Sequence, residues 1–258
     1  METGKTGQLN FNKINKLLFV LFLLFISITY SSGQLCYQEQ IYNAFIKGQM
    51  DLWEDHMKKM EENYYESNNI HCLYDLTYTL YGYIAYCIIV NDKSKGRYYL
   101  NKARKYANTL LKYHSSQAEI YSLQGALYGF EIGLNPIKAI DFGIKSVKSI
   151  NKAVELDKDN AKVLMELGNM KYYMPKILGG GLKKAIYYHE KAVSMFELGE
   201  YELDANWLYL LVLTNLGRWY SEAHELSKAN DIYRKILDIE PNYLWVKNYL
   251  YPDLAEKR

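Results

Sequence analysis

The sequence predicts an all-α protein, a solenoid of stacked helix-turn-helix units. Apolar residues recur at helical spacing through most of the chain, and no segment keeps the alternation of apolar and polar residues that marks a half-buried strand. Only 4 prolines occur in 258 residues, so few positions interrupt a helix. Similar segments return at intervals of a few tens of residues, which is the signature of a stacked array.

Residues 1–33 have the pattern of a signal peptide. Three lysines precede an uninterrupted apolar run, Leu17 to Ile28, and the small residues Ser31, Ser32 and Gly33 stand before an expected cleavage site. We therefore expect a protein exported to the periplasm or secreted. The alternative is an uncleaved membrane anchor formed by residues 17–36, since a run of ~20 uncharged residues can span a bilayer.

The charge of the mature chain argues against two classes of partner. Cleavage after Gly33 removes three lysines and one glutamate from totals of 31 basic and 29 acidic residues, and leaves 28 of each. Binding to nucleic acid or to an anionic membrane surface depends on a basic excess. We therefore expect neither partner, and membrane contact only through an uncleaved signal segment. The sequence leaves the oligomeric state open.

Residues 34–69 are expected to form a leading helix pair. Cys72 and Cys87 follow on one predicted helix, where 15 residues at the rise of an α-helix separate them by roughly 22 Å. That separation is too large for a disulfide between them. Either thiol could pair with Cys36, or all three could be buried as free thiols.

Four repeat units are predicted between residues 70 and 241. Their first helices carry an aromatic or aliphatic residue near a small one, and their second helices carry small residues at fixed offsets. From the C-terminal end, the units contain Trp207 and Leu210 with Ala229, Tyr233, Ile236 and Pro241; Leu164, Leu167 and Gly168 with Ala185, His189 and Ala192; Tyr121, Gly125 and Tyr128 with Ser146, Ile150 and Ala153; and, more weakly, Tyr78 and Gly82 with Ala103, Ala107 and Leu110. Residues 242–258 are expected to form a C-terminal capping helix.

These units resemble the tetratricopeptide repeat (TPR). The resemblance covers about residues 70–241 and implies tetratricopeptide-like helix-turn-helix repeats that bind a partner on their concave face. The spacing between the small residues of the two helices is larger than in the family, at 17 positions from Gly168 to Ala185 and 21 from Gly125 to Ser146. The loops between helices are therefore expected to be enlarged. This irregularity is similar to that of divergent exported arrays, including the periplasmic helical accessory subunit of tripartite (TRAP) solute transporters.

The glycine-rich string Pro175 to Gly181 has two interpretations. Its glycines could expose backbone N–H groups to an anion at the start of the next helix. The favoured interpretation is an enlarged turn, with Pro175 ending one helix and the glycines adopting positive φ. The string lacks the following Lys-Ser/Thr pair of a phosphate-binding loop.

The sequence predicts no catalytic residue, no metal site and no cofactor. None of the five histidines lies three or four residues from another, which is the spacing that a helical zinc pair requires. There is no Gly-x-Ser-x-Gly motif, and Cys87 lies in an apolar run that disfavours a thiolate. We therefore expect a non-enzymatic protein.

The repeat register predicts a ligand-binding surface on the concave face. The residues expected there are Tyr83, Tyr86, Phe130, Asn169, Tyr172 and Tyr173. Asn169 stands where the resemblance implies an asparagine that holds a ligand backbone, but Met165 and Leu208 replace the basic residues of a carboxylate clamp. We expect an exported interaction scaffold for a peptide or protein segment. The alternative is a small-ligand-binding accessory subunit of an envelope transporter.

Overall fold

The computed structural model describes residues 37–114, 116–199 and 201–256. By compactness the chain divides into two units, Met1–Glu39 and Gln40–Arg258. Of the first unit only residues 37–39 are described, and they are helical. The predicted signal peptide and Cys36 lie outside the described residues.

The described chain is all-α, and its helices follow one another in pairs. Helix α1 ends at residue 47. The remaining helices are α2 (Met50–Ser67), α3 (Ile70–Ile89), α4 (Lys93–Tyr113), α5 (Gln117–Leu134), α6 (Ala139–Leu156), α7 (Ala161–Tyr173), α8 (Leu182–Leu198), α9 (Trp207–Glu222), α10 (Leu226–Ile239) and α11 (Tyr251–Glu256). We call α3, α5, α7 and α9 the A helices, and the helix after each its B helix.

Side-chain caps set the starting points of three A helices. Asn69, Asn160 and Asn206 precede α3, α7 and α9, and each side-chain oxygen accepts a hydrogen bond from a backbone N–H of the first turn. Such caps satisfy donors that a helix cannot pair internally. Three of the four A helices therefore begin where the local sequence prescribes.

In two of the predicted repeat units, the two helices approach closely at a glycine. A Cβ added to Gly125 on α5 would lie 2.6 Å from the side chain of Ile150 and 3.2 Å from the carbonyl oxygen of Ser146 on α6. A Cβ on Gly168 of α7 would collide with Nδ1 of His189 on α8. Only glycine permits this distance between helices, so these pairs meet as the repeat alignment predicts.

The weakest predicted unit has a different geometry. A Cβ on Gly82 of α3 would lie 2.8 Å from the ring of Trp53 on α2 and 3.0 Å from the ring of Trp207 on α9, and these two indole rings supply its three nearest atoms. The closest contacts of Gly82 are therefore with other helix pairs.

The glycine-rich string forms the enlarged turn between α7 and α8. Pro175 begins a short 3₁₀ turn, Lys176–Leu178, and Gly179 and Gly181 have positive φ, at +90° and +129°. The N–H groups of the three glycines donate to the carbonyl oxygens of Lys176, Pro175 and Lys171. Because these donors are already bonded, the anion-binding interpretation is wrong and the turn interpretation is confirmed. A 3₁₀ turn, Pro136–Lys138, enlarges the α5–α6 connection in the same way.

Four aromatic residues join the first helix pair of the second unit to its last elements. We call Phe45, Trp53, Trp207 and Tyr243 the aromatic junction. The ring centroids of Trp53 and Trp207 are 5.0 Å apart, and those of Phe45 and Tyr243 are 5.1 Å apart. The hydroxyl of Tyr42 donates to Glu240 at 3.1 Å beside them. The array therefore contacts itself across most of its length in sequence.

Cys72 and Cys87 both lie on α3, as predicted, and both are free thiols. Within the described ranges, no helix combines the length and the apolar character needed to cross a membrane.

Candidate functional site

Side chains of α3, α5 and α7 contact one another, which brings residues of three A helices together. The ring centroids of Tyr81 on α3 and Phe130 on α5 are 5.2 Å apart. The side-chain amide of Asn169 on α7 donates to the hydroxyl of Tyr81 at 3.4 Å. Side chains of α3 therefore reach both of the following A helices.

We call Tyr81, Phe130, Glu166, Asn169 and Tyr173 the inner patch. Tyr81 and Glu166 are buried, Phe130 and Asn169 are half-buried, and the side chain of Tyr173 is 81% exposed. The three α7 residues are spaced by three and four positions, so they lie on one face of the helix. The patch thus runs from solvent at Tyr173 inward to Glu166.

Glu166 is a buried carboxylate that is only partly satisfied. The amide of Asn169 donates to Oε2 at 3.2 Å, whereas Oε1 has no hydrogen-bond partner among the described residues. Burial raises the pKa of Glu166 to about 7, against the opposing effect of the Tyr81 hydroxyl and the Asn169 amide. Buried polar atoms are nearly always hydrogen-bonded, so an acceptor in this state needs an explanation.

Glu119 shows how the same protein satisfies a buried carboxylate that has a structural function. It accepts hydrogen bonds from Tyr74, from Asn160 at 3.1 Å and from Tyr201 at 3.0 Å, and pairs with Lys162 at 3.2 Å. Burial opposes ionisation, but the Lys162 charge and these donors outweigh it and hold the pKa of Glu119 below its usual range. Glu119 therefore joins α3, α5 and α7, and both of its carboxylate oxygens already have partners, so neither is available to a ligand.

The structure brings together three of the six residues predicted to bind a ligand. Phe130, Asn169 and Tyr173 all belong to the inner patch. Tyr83 and Tyr86 lie on another side of α3, where their ring centroids are 5.9 Å apart. The six residues predicted to form one surface therefore do not all lie together.

Tyr83 contributes to packing between α2, α3 and α4. It is buried, and its hydroxyl donates to Glu54 at 2.6 Å. Glu54 also accepts from Tyr99 at 2.7 Å and pairs with Lys95 at 2.8 Å. Although burial opposes ionisation, these partners lower the pKa of Glu54 to about 2. The hydroxyl of Tyr83 is thus committed to a structural network.

Tyr172 faces the next repeat. Its ring stacks on Trp219 with centroids 4.8 Å apart, and its hydroxyl donates to Glu222 at 2.8 Å. Both partners lie on α9, so Tyr172 contributes to packing between neighbouring A helices. Its sequence neighbour Tyr173 is exposed, acts electrostatically on Tyr81, and carries no such contacts with α9 in the described chain.

The sequence prediction missed Tyr81 and Glu166, which form the floor of the inner patch. A signal for Glu166 was present, since it is the only acidic residue of α7 and its neighbours Val163, Leu164, Met165 and Leu167 are all apolar. A carboxylate embedded in such a run is either paired or functional. Tyr81 has no comparable signal among 27 tyrosines.

The inner patch combines polar and aromatic groups. Within the described ranges, no three histidine, cysteine, aspartate or glutamate side chains gather as a metal site. Burial raises the pKa of the Cys87 thiol to about 11, so this thiol is protonated and weakly nucleophilic at neutral pH. What the patch offers is a hydrogen-bond acceptor surrounded by aromatic rings.

No family model and no curated protein matches the chain in sequence. Among solved structures it is similar to TTC0263, a thermophilic TPR protein in Thermus thermophilus, with 15% identity, a TM-score of 0.53, and coverage of 81% of this chain and 93% of that one. It is also similar to BtubC from P. vanneervenii, with 16% identity, a TM-score of 0.40 and coverage of 82% and 85%. A third similar structure is MamA, with 17% identity, a TM-score of 0.35 and coverage of 82% and 96%.

The likeness to TTC0263 agrees with the helix pairing and with the glycine contacts in two units. The likeness to a transporter accessory subunit stays a prediction. The chain therefore has the all-α helical-repeat fold of tetratricopeptide-repeat proteins, in a divergent form.

Proposed function

We propose that this protein is a non-enzymatic interaction scaffold that binds a segment of a partner protein at the inner patch. The observation that carries the proposal is the combination of an exposed ring, Tyr173, with a buried and partly unsatisfied carboxylate, Glu166. An aromatic surface beside an unpaired acceptor suits a segment that supplies both apolar contacts and a donor. The TPR-type fold supports this choice, because such arrays stack helix pairs into extended binding surfaces.

Export belongs to the same proposal. Its support is the pattern of residues 1–33, which would place the scaffold in the periplasm or outside the cell. The partner would then be another protein of that compartment.

Site-specific photo-crosslinking tests the proposal. Tyr173 is replaced by a photoreactive phenylalanine in the full chain, which is irradiated in the cells that produce it. We expect a discrete crosslinked protein, because the exposed side chain of Tyr173 would contact the bound segment. Tyr113 supplies the matched control, as a tyrosine with a 72% exposed side chain at the end of α4, away from the inner patch. Equal products from both positions, or none from position 173, would contradict the proposal.

The small-ligand carrier is the alternative, and the buried carboxylate is compatible with it. The crosslinking result separates the two, since a carrier would keep its ligand at the inner patch without forming a protein adduct at position 173. Mass spectrometry of the natively purified chain would then show a bound small molecule that is absent from the Tyr173→Ala variant.

A further inference from the structure

The unpaired oxygen of Glu166 indicates which chemical group the bound segment should present, which the fold alone does not. Its Oε1 atom is buried, and no donor of the described residues meets it in hydrogen-bond geometry, although the nearby Tyr81 hydroxyl favours the charged form of this carboxyl. A carboxylate in such a place is stabilised most by a charged donor, since hydrogen bonds between ionised groups are about twice as strong as neutral ones. A positively charged partner would therefore hold this buried carboxyl in its ionised form.

The chain's own lysine near this position is already occupied. Lys162 precedes Glu166 by one helical turn, the spacing at which a lysine and a glutamate can pair on a helix. Its ammonium instead bonds the carboxylate of Glu119 at 3.2 Å and the hydroxyl of Tyr74. Oε1 of Glu166 therefore stays without a basic partner, because the nearest basic group on its own helix bonds elsewhere.

The surroundings of Glu166 favour a long cationic side chain. The Tyr81 hydroxyl lies beside it, Phe130 packs on the Tyr81 ring, and the exposed Tyr173 is near enough to act electrostatically on Tyr81. Aromatic faces attract ammonium and guanidinium groups, and an apolar stem packs well along them. Asn169 bonds both Glu166 and Tyr81 at long distances, 3.2 Å to Oε2 of Glu166 and 3.4 Å to the Tyr81 hydroxyl. Hydrogen bonds at the long end of the range are the weaker ones.

We propose that Oε1 of Glu166 accepts a hydrogen bond from the ammonium group of a lysine side chain in the bound segment, whose stem lies along Tyr81, Phe130 and Tyr173. One free oxygen suits a single-point donor, whereas the two-point fork of arginine needs both carboxylate oxygens. The inference rests on the proposed binding of a protein segment at the inner patch. It adds that the segment is recognised by a basic residue.

Two sets of blocked heptapeptides test the inference. The central residue is lysine in one set and norleucine in the other, and the remaining positions vary over alanine, leucine, serine and tyrosine in both. Norleucine keeps the apolar stem and removes the ammonium group. The retention of each set on the immobilised protein, the chain from Gln34 onward, is measured by mass spectrometry. We expect the lysine set to be retained about tenfold more strongly, the size of effect that one charge-assisted hydrogen bond supplies.

Three variants identify the atom responsible. Glu166→Gln should abolish the preference for lysine while leaving retention of the norleucine set unchanged, which also shows that the patch is still folded. Glu222→Gln is the matched control, since it removes one charge from an exposed carboxylate that bonds Tyr172 on the neighbouring side of α7. It should keep the full preference. Tyr173→Ala should reduce retention of both sets.

The outcomes separate the inference from the proposed function. If both sets bind equally and depend on Tyr173, or if the preference survives in Glu166→Gln, segment binding stands and the lysine inference is overturned. If neither set is retained by the wild-type chain, the inner patch does not bind segments, and the proposed function falls together with the inference.

Discussion

His189 occupies the aromatic place of its repeat as a neutral ring with two unsatisfied nitrogens. Both ring nitrogens are buried and lack hydrogen-bond partners in the described part of the chain. The ring lies 4.2 Å from that of Trp219, centroid to centroid. Burial lowers the pKa of His189 to about 3. The imidazole therefore contributes packing area, while its polar atoms cost stability.

Replacing His189 with phenylalanine is expected to stabilise the protein by roughly 1 to 3 kcal/mol, the cost of leaving buried polar atoms unpaired. The folded-state pKa of His189 lies below the unfolded value of 6.5, so its effect on stability is smallest above pH 6.5 and becomes unfavourable as the pH falls toward 3. The gain in His189→Phe should therefore grow in acid. Urea unfolding at pH 7 and pH 5 measures both effects. Destabilisation at both values would show that the ring nitrogens have partners.

Glu166 has the opposite dependence on pH. Its folded-state pKa of about 7 lies above the ordinary value of 4.5, so the folded protein holds a proton that the unfolded chain releases. The stability linked to this proton is fully present below pH 4.5 and is lost as the pH rises through 7.

Relative to wild type, Glu166→Gln should therefore gain stability between pH 4.5 and pH 7.5, by an amount up to roughly 3 kcal/mol. The measurement is the difference in the free energy of unfolding between the variant and wild type, taken at each of the two pH values. Comparing the two differences removes any effect of the substitution that does not depend on pH. A difference that does not change with pH would place the Glu166 carboxyl in water.

Between elements, tyrosine hydroxyls bonded to glutamate carboxylates are a recurrent connection. These bonds join Tyr42 to Glu240, Tyr83 and Tyr99 to Glu54, Tyr106 to Glu61, Tyr172 to Glu222, Tyr209 to Glu197, and Tyr220 to Glu190. Each ring packs in the apolar layer while its hydroxyl reaches a carboxylate at the rim. The abundance of tyrosine therefore serves helix packing in large part, and a tyrosine whose hydroxyl bonds a carboxylate in this way is not by itself evidence of a binding site.

The close contact between α7 and α8 gives a prediction at the element scale. Gly168→Leu should destabilise the protein by roughly 1 to 3 kcal/mol, because the new side chain would push His189 and the backbone of Ala185, both on α8, away from α7. Gly129→Ala on α5 is the control, since nothing lies within 4 Å of its added Cβ, and alanine is the better helix former. Thermal unfolding of both variants decides the matter. Equal melting temperatures for Gly168→Leu and wild type would refute the close approach.

Sequence reasoning located the helix pairs and two repeat registers because local physics determines them. Asparagine caps, glycine contacts and apolar periodicity act within one pair of helices, so they are visible in one stretch of sequence. The closest neighbours of Gly82, Trp53 and Trp207, were not predicted because they come from distant parts of the chain. Contacts of that range leave no trace in local periodicity.

The candidate site was predicted only in part for the same reason. Phe130, Asn169 and Tyr173 were identified from their places in the repeat, and the structure brings them together. Tyr83 and Tyr172 fit the same pattern but are engaged with Glu54 and Glu222, partners that depend on the packing of neighbouring helices. Whether the inner patch binds a ligand stays a prediction.

At the scale of the whole molecule, the aromatic junction changes how the array should unfold. An ordinary repeat array gains stability from contacts between adjacent units, so its ends can unfold separately. Here Trp53 of α2 packs on Trp207 of α9. The stability of the first helix pair is therefore tied to that of the last.

Trp207→Ala is expected to cost roughly 3 to 5 kcal/mol, as for a large aromatic removed from a packed site. A double-mutant cycle with Trp53→Ala should give a coupling energy of about 0.5 to 1.5 kcal/mol, since the two rings contact directly. The free energies come from urea unfolding of the single and double variants. Strictly additive effects would show that the two rings do not interact in solution.

The aromatic junction also bears on how the chain is made. Tyr42 and Glu240 are separated by 198 positions, so their contact closes a loop of nearly the whole second unit. Contacts between such distant residues slow folding, because the entropy of closing the loop is lost before the contact is gained. During synthesis, the first helix pair leaves the ribosome long before α9. Until α9 is made, the rings of Phe45 and Trp53 stay exposed to solvent. We expect the nascent protein to depend on molecular chaperones that cover those rings until its C-terminal third has been synthesised.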